Sequence, residues 1–191
     1  MIHAYVHAGR KLPVLWKRNY YNKSKKMVQK MKRNSDYIAY IAAFKTFIAD
    51  VIAPLCGGSG VVYQCPPTLR IHMPGHVPTI TMHRDADFAN HESGEINFWV
   101  PFVDVFGSNT LWCESLPGKG DFEPFELKAG EGKRFDGNGC RHYTMANRTD
   151  VTRVSIDFRV IPREVAVRPD SFKGKIGDYD TEVYVQSDSL N

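Results

Sequence analysis

Two residues of types that bind metals stand two positions apart near the middle of the chain. His83 and Asp85 flank Arg84, and in an extended segment residues two apart point to the same side. His142 lies much later, in a separate strand-like run. Two histidines and one carboxylate form a facial ligand set that leaves three metal positions open, as in non-haem iron(II) sites. The His-x-Asp pair alone is weak support, because motifs this short recur by chance.

A charged strand face supplies the second signal. Arg153 follows His142 by eleven positions, in a run 151–159 that alternates strictly between polar and apolar residues. The polar positions Arg153, Ser155, Asp157 and Arg159 therefore share one face. A buried, unpaired arginine is costly unless a ligand carboxylate pairs with it. The guanidinium fork fits a carboxylate, and the Ser155 hydroxyl can add a hydrogen bond. The alternative is the solvent-exposed face of an edge strand.

The region after Gly60 predicts a mainly β fold. Short β-branched and aromatic runs alternate with turn residues and contain no helical pattern. The predicted strands are 69–73, 78–83, 95–103, 109–115, 124–128, 132–135, 141–146 and 151–160. This count favours an antiparallel sandwich or barrel, and a jelly roll with a pocket between two sheets fits best.

The region before Gly60 predicts helices. Apolar residues recur at steps of three and four across 35–52, at Tyr37, Ile41, Phe44, Ile48 and Val51. Asn34 or Ser35 can cap the start of this helix, and Pro54 with the pair at 57–58 is expected to end it. A shorter helix over 23–33 and a tail strand over 181–186 are further expectations.

Length and composition indicate one domain. The chain has 191 residues, of which 42% are hydrophobic and 24% charged, as in ordinary globular proteins. We expect a helical, basic part over 1–58, a core over 60–162 and an extension over 163–191. No apolar run approaches the length of a membrane span, and no leader pattern is present. The four cysteines lack a C-x-x-C spacing. We therefore expect a cytoplasmic protein with reduced thiols and no membrane partner.

The amino-terminal 35 residues contain ten basic and no acidic residues, whereas the rest of the chain is net acidic. Such an arm could contact nucleic acid, an anionic membrane or the body of the protein. A solvated or internally paired face is the favoured interpretation. No aromatic platform interrupts the basic residues at 25–33, which argues against a surface that stacks on bases. We expect no nucleic-acid partner.

Taken together, these residues resemble the superfamily of iron(II)- and 2-oxoglutarate-dependent oxygenases: H-x-D, a distal histidine, then R-x-S. Further runs look like the subgroup of streptomycin-biosynthesis-type oxygenases. They are Gly94-Glu95-Ile96-Asn97-Phe98-Trp99-Val100-Pro101, Ser108-Asn109-Thr110-Leu111-Trp112, Glu114-Ser115 and 152–159. The resemblance covers roughly residues 60–162.

The resemblance implies a double-stranded β-helix (jelly-roll) core with N-terminal helices packed on it and iron(II) at its mouth. The implied metal ligands are His83, Asp85 and His142. Arg153 and Ser155 would bind the distal carboxylate of 2-oxoglutarate. Asn97 would contact cosubstrate or substrate, or serve as a satisfied polar group within a strand.

The same resemblance implies a dioxygenase that consumes O2 and 2-oxoglutarate and releases succinate and CO2. Members that halogenate lack the ligand carboxylate, so the presence of Asp85 favours hydroxylation, desaturation or ring closure.

Residues that would face a substrate follow from the predicted strand faces. They are Arg70, Trp99, Trp112, Glu114 and Arg159. Mixed charge with aromatic rings suits a small polar molecule that carries amino or guanidino groups. Each of these residues also has a structural interpretation, and Arg70 could simply pair with Glu114.

Three other functions remain open. A non-catalytic binding domain on the same barrel would lose a ligand or the arginine, yet every one of these positions is filled. A nucleic-acid-directed oxygenase draws support only from the basic arm. A cupin-like enzyme with another metal would leave the R-x-S element without a task, and zinc or manganese could also occupy these ligands.

Overall fold

The computed structural model describes residues 2–3, 30, 32–57, 60–89, 91–92, 94–166, 175–176 and 179–185. The expected helix over 23–33, most of the basic arm and parts of the tail lie outside the described residues.

One long helical stretch precedes the sheets. It consists of α1 (Ser35–Phe47), a π-helical turn (Ile48–Ile52) and α2 (Ala53–Cys56). The side chain of Asn34 caps α1 by accepting hydrogen bonds from the backbone N–H groups of Asp36 and Tyr37, at 2.9 and 3.0 Å. The expected helix and its cap are therefore confirmed.

The helical stretch continues through Pro54 to Cys56 and ends at Gly57, so the expected end is confirmed at Gly57 but not at Pro54. The π-helical turn just before Pro54 bonds Ala53 N–H to Ile48 C=O, and such turns accommodate a residue without a backbone donor. The wider turn also rotates the apolar face by one residue. Ile52 is consequently buried where Val51 was expected, and Val51 is exposed.

The helical stretch Ser35–Cys56 has 22 residues and a mean hydropathy of 1.6 over an 18-residue window, and it is therefore long and apolar enough to cross a membrane by length and composition. This corrects the expectation that no segment approaches such a length. Phe44, Ile48 and Ile52 of this stretch pack into the core, and core helices of soluble proteins meet the same criterion.

Eleven strands occur in the described part of the chain, and they form two sheets. Their bounds are β1 Ile2–His3, β2 Gly60–Gln64, β3 Thr68–His72, β4 Ile96–Pro101, β5 Trp112–Cys113, β6 Glu123–Pro124, β7 Lys133–Phe135, β8 His142–Tyr143, β9 Arg153–Pro162, β10 Lys175–Ile176 and β11 Tyr179–Val185. The mainly β class is confirmed. All strand pairs are antiparallel except β1 with β3.

The larger sheet is built around β9. This strand pairs with β4 along one edge and with β3 and then β2 along the other. The charged strand predicted from the alternation is therefore central rather than an edge strand. Its inner face, the one that carries Arg153, Ser155, Asp157 and Arg159, is buried.

The register places side chains of β3 and β4 beside this inner face. The directly opposed pairs are His72 with Arg153, Arg70 with Ser155, Trp99 with Asp157, and Asn97 with Arg159. Residues that oppose one another in a sheet share a face. The inner face is therefore unusually rich in polar and charged groups.

The smaller sheet orders its strands β6-β5-β8. The predicted strand 78–83 does not form a regular strand. It runs beside β8 through a bridge between His83 and His142 and through the hydrogen bond from Thr144 N–H to Ile80 C=O. This irregular pairing brings the two histidines together.

Hydrophobic packing fills both sides of the larger sheet. On its outer side, Phe158 is fully buried, contacts Phe44 of α1 edge-on with ring centroids 5.0 Å apart, and stacks on Phe98 at 5.5 Å. On the inner side, Trp99 packs with Phe125, and this cluster includes Cys113 of the smaller sheet. The polar inner face thus lies between the two sheets.

Candidate metal centre and anion pocket

The three residues predicted to bind a metal lie together between the sheets. His83, Asp85 and His142 each offer a ligand atom, and these atoms lie within 4.8 Å of one another. Nε2 of His83 is 3.6 Å from Oδ1 of Asp85, and Nε2 of His142 is 3.9 Å from the same oxygen. Asp85 and His142 are buried, whereas the side chain of His83 is 22% exposed. Two imidazole nitrogens therefore converge on one carboxylate oxygen.

Backbone carbonyls set the orientation of both imidazole rings. Nδ1 of His83 lies 2.7 Å from the carbonyl oxygen of Thr81, and Nδ1 of His142 lies 3.1 Å from that of Cys140. A carbonyl only accepts, so each Nδ1 carries the hydrogen and each Nε2 keeps its lone pair. Metal-binding histidines are oriented by this kind of contact. The donor set therefore fits a divalent metal.

The carboxylate comes from a short 3-10 turn, Asp85–Asp87, and not from a strand. The Asp85 N–H donates to the carbonyl of Gly137 at 2.9 Å. The turn itself is closed by Asp87, whose carboxylate accepts from the backbone and guanidinium of Arg84. These contacts attach the loop that carries Asp85 to the segment just before β8.

Two side chains of the larger sheet bind the Asp85 carboxylate. Arg159 donates from Nε to Oδ2 and from Nη2 to Oδ1, both at 2.9 Å. Nδ2 of Asn97 donates to Oδ2 at 2.7 Å. Burial raises the pKa of Asp85, but Arg159 and His83 outweigh it, so the pKa lies far below its usual range. Asp85 is thus ionised and fixed without a metal.

The two histidines differ in the net direction of their pKa shifts. Burial lowers the pKa of His142 to about 4, despite the opposing effect of Asp85. Burial also lowers the pKa of His83, but the nearby Asp85 carboxylate and the Thr81 carbonyl outweigh it and the net shift is upward. His142 is therefore the more firmly neutral of the two ligands at neutral pH.

Arg153 lies fully buried farther along the inner face. Its Nη1 donates to the carbonyl of Asn109 at 3.0 Å, and its guanidinium lies over the ring of Trp99, 5.6 Å from the centroid. Among the described residues, its Nε and Nη2 have no hydrogen-bond partner, and neither do Ser155 Oγ and Trp99 Nε1. Burial and the cation of Arg70 lower the pKa of Arg153, whereas Asp157 raises it.

The neighbouring charges of the inner face are already paired. Arg70 binds Asp157 through two hydrogen bonds, and Arg159 binds Asp85. Within the part of the chain that the structure describes, Arg153 has no carboxylate within ion-pair distance. A buried cation with unused donors is costly. The unused donors of Arg153 and Ser155 have the chemistry that binds an anionic group.

No protein-family model matches the chain. A stretch of 103 residues is 41% identical to the streptomycin biosynthesis protein StrG of Streptomyces griseus. The match covers 54% of this chain and 48% of that protein, so the chain spans about half the length of this relative.

Solved structures of several non-haem enzymes share the fold. The α-ketoglutarate-dependent epimerase SnoN from nogalamycin biosynthesis superposes with a TM-score of 0.51, over 66% of this chain and 56% of its own, at 22% identity. The carbocyclase SnoK superposes with a TM-score of 0.51, over 80% of this chain and 73% of its own, at 14% identity. The nickel complex of the monooxygenase ThoJ superposes with a TM-score of 0.50, over 61% of this chain and 50% of its own, at 19% identity. This chain therefore shares its fold with these three proteins.

The residues predicted to face a substrate are not brought together as one group. Trp112 pairs with Tyr143 and Cys113 with His142, so Trp112 lies on the other face of the smaller sheet from the metal ligand. Glu114 binds the guanidinium of Arg141 at 2.6 and 3.0 Å. The idea that Arg70 pairs with Glu114 is wrong, because Arg70 pairs with Asp157.

A second group with ligand-like atoms shares Asp85. Asp85, His91 and Glu95 offer atoms within 4.8 Å of one another. However, Nδ1 of His91 and the Glu95 carboxylate are already joined at 2.7 Å, and Asp85 faces two free imidazole nitrogens in the first group. The group with His83 and His142 is therefore the better donor set.

Gly137 contributes to the site in a way the sequence analysis missed. Its N–H donates to Oδ1 of Asn97 at 3.2 Å, and its carbonyl accepts from Asp85. A Cβ at this position would lie 2.4 Å from Nδ2 of Asn97. The only signal in the sequence is a glycine five residues before His142, and this is uninformative without the register of β4.

Proposed function

We propose that this chain is an iron(II)- and 2-oxoglutarate-dependent oxygenase that hydroxylates a small polar metabolite and releases succinate and CO2. The observation that carries the proposal is that two candidate binding sites lie against the same buried face of the larger sheet. A facial set of two histidines and one carboxylate lies near one end of this face, and a buried arginine with unused donors lies farther along it.

The metal would be held by His83, Asp85 and His142, whose free nitrogens and oxygen face one another. Bound iron(II), with 2-oxoglutarate and O2, would supply the oxidising power for attack on a substrate C–H bond. The protein's own contribution is to orient the ligands and to limit water around them. Burial of Asp85 and His142 beneath the more exposed His83 serves that purpose.

The distal carboxylate of 2-oxoglutarate would bind Arg153 and Ser155. Both present donors without partners among the described residues, and a planar guanidinium can bind a carboxylate through two parallel hydrogen bonds. His72 lies directly opposite Arg153, and burial together with Arg153 lowers its pKa to about 4. The neutral imidazole therefore leaves Arg153 as the cation at this position.

The double-stranded β-helix, with residues 60–162 as its core in a single domain, is part of the same proposal. Two mainly antiparallel sheets enclosing a polar inner face agree with it. The fold shared with SnoN and SnoK, described as α-ketoglutarate-dependent enzymes, supports it further.

The class of substrate is supported by the relative in streptomycin biosynthesis, which matches across about half its length. Of the residues predicted to contact substrate, Arg159 is bound to Asp85, Arg70 to Asp157 and Glu114 to Arg141. Trp99 is almost fully buried. The substrate would therefore enter from the exposed side of His83, where Phe88 lies edge-on to the ring at 5.3 Å.

The test is an anaerobic titration of the iron(II)-loaded protein with 2-oxoglutarate. Chelated 2-oxoglutarate gives a visible metal-to-ligand charge-transfer band on iron(II), and we expect this band in the wild type. Arg153→Met should weaken 2-oxoglutarate binding at least roughly tenfold, because the distal carboxylate loses its cation. Arg134→Met, at an exposed position on β7, is the matched control and should behave as wild type.

Admission of O2 extends the same experiment to turnover. Release of succinate by the wild type, and its loss in Arg153→Met, would establish the reaction class. If the wild type showed no charge-transfer band, the non-catalytic binding domain would become the better interpretation. A salt-sensitive shift of nucleic acid on a gel would instead favour the nucleic-acid-directed oxygenase.

A further inference from the structure

Arg159 and Asn97 were expected to contact substrate or cosubstrate, yet both bind the carboxylate that faces the two histidines. We propose that Arg159 and Asn97 are positioning residues that fix Asp85 as a one-oxygen metal ligand before any metal binds. This inference rests on the proposed metal site and assigns a role to two side chains that need not touch the metal or the substrate.

The two carboxylate oxygens of Asp85 differ in how many hydrogen bonds they accept. A carboxylate offers about two acceptor sites on each oxygen. Oδ2 of Asp85 accepts from Asn97 Nδ2 and from Arg159 Nε, so both of its sites are used. Among the described residues, Oδ1 accepts one hydrogen bond, from Arg159 Nη2. Its remaining site is the one that faces the imidazole nitrogens of His83 and His142.

The two donors are themselves held in place. Gly137 N–H donates to Oδ1 of Asn97, which fixes the amide so that Nδ2 points at Asp85. Arg159 Nη1 donates to Gln64 Oε1 and Asp157 Oδ2, both at 3.3 Å. Neither donor can turn away from Asp85 without breaking a further contact.

Arg159 has two opposing effects on metal binding. The Arg159 cation repels a divalent metal, but its two hydrogen bonds hold the carboxylate in one orientation. A rotated carboxylate is a poor ligand, so we expect orientation to outweigh repulsion. Removal of residues that orient metal ligands typically weakens metal binding by about 10–100-fold.

The test compares two buried arginines on one strand. Nickel(II) is titrated calorimetrically into wild type, Arg159→Met, Asn97→Ala and Arg153→Met. We expect about 10–100-fold weaker binding for Arg159→Met, a smaller loss for Asn97→Ala, and wild-type affinity for Arg153→Met. Arg153 is also buried on β9 but contacts none of the three residues proposed to bind the metal.

The visible spectrum of the cobalt(II) protein provides a readout that depends on coordination. Loss of Arg159 removes one hydrogen bond from each carboxylate oxygen and leaves only Asn97 to orient the group. The carboxylate can then turn or bind through both oxygens, so the ligand-field bands of Arg159→Met should differ from those of wild type. The bands of Arg153→Met should not. If Arg159→Met does not fold, Arg159→Lys and Asn97→Ala carry the test, because lysine keeps the charge but lacks the planar fork.

Each outcome decides the inference. If both Arg159 variants and Asn97→Ala bind nickel as tightly as wild type and give the same cobalt spectrum, the positioning role is overturned and the proposed metal site stands. Weakened nickel binding with altered cobalt bands in the Arg159 variants, absent in Arg153→Met, would support it. Failure of the wild type to bind either metal would overturn the proposed metal site together with this inference.

Discussion

Gly137→Ala is a single-methyl test of how tightly the site is packed. The added Cβ would lie 2.4 Å from Nδ2, 2.6 Å from Cγ and 2.8 Å from Oδ1 of Asn97. Carbon–carbon contacts in proteins are about 3.5–4.0 Å, so the amide must move by roughly 1 Å. The hydrogen bond from Asn97 to Asp85, now 2.7 Å, would then be broken.

The expected magnitude follows from that bond. A hydrogen bond to a charged group contributes about 1.5–3 kcal/mol, and replacing glycine by alanine recovers about 0.4–1 kcal/mol through the unfolded chain. The free energy of unfolding should therefore fall by about 0.5–2.6 kcal/mol. At about 2–4 °C per kcal/mol for a chain of this size, Tm should fall by about 1–10 °C.

Urea and thermal unfolding of the metal-free protein measure this loss. The matched control is Gly75→Ala, where the nearest atom to the new Cβ is a backbone oxygen at 4.0 Å and where we expect a change within about 0.5 kcal/mol. Equal stability of the two variants would refute the reasoning. It would show that the amide of Asn97 moves freely and does not hold Asp85.

Three further variants test other parts of the structure, each by urea unfolding. Burial raises the pKa of Asp157, but Arg70 lowers it more, so the folded pKa lies below the unfolded pKa of about 3.9. The ionised carboxylate therefore stabilises the fold above about pH 3.9, and this stabilisation is lost as the pH falls through the lower folded value. Arg70→Met should cost about 2–4 kcal/mol at pH 7 and less in acid, where Asp157 becomes protonated; a loss independent of pH would contradict this. Phe158→Ala should cost about 3–5 kcal/mol, against almost nothing for the exposed Leu116→Ala. Asn34→Ala removes the cap of α1 and should cost about 0.5–2 kcal/mol, whereas Asn34→Ser should retain most of it.

The alternation of β9 allowed much of the site to be predicted. Period-two spacing predicted that Arg153, Ser155, Asp157 and Arg159 share a face, and the register confirms it. The spacing also predicted that His83, Asp85 and His142 can meet, and their ligand atoms do lie together. The partners of each charge were not predictable, because they depend on which strands adjoin β9.

The elements that were mispredicted have local causes. The segment 78–83 has strand-like composition, yet it forms only bridging contacts with β8. The segment 60–64 was not predicted as a strand, although β2 is buried along its whole length. Trp112 and Glu114 were assigned to the pocket because the face of β5 could not be derived without its register against β8.

The placement of the proposed metal ligands on the loop before β4 and on β8, and not on β9, has a consequence for hydrogen exchange. The backbone of β9 is paired on both edges, so its amides should exchange only when the whole domain unfolds. Asp85 and His83 belong to a loop without regular pairing, and the side chains of Arg159 and Asn97 attach that loop to the sheet. The rate of amide hydrogen exchange in this loop should therefore be set by the least stable of these side-chain contacts. A metal bound to His83, Asp85 and His142 would add a further link between the loop and β8, beside the existing backbone hydrogen bonds, and would slow exchange in the loop without altering that of β9.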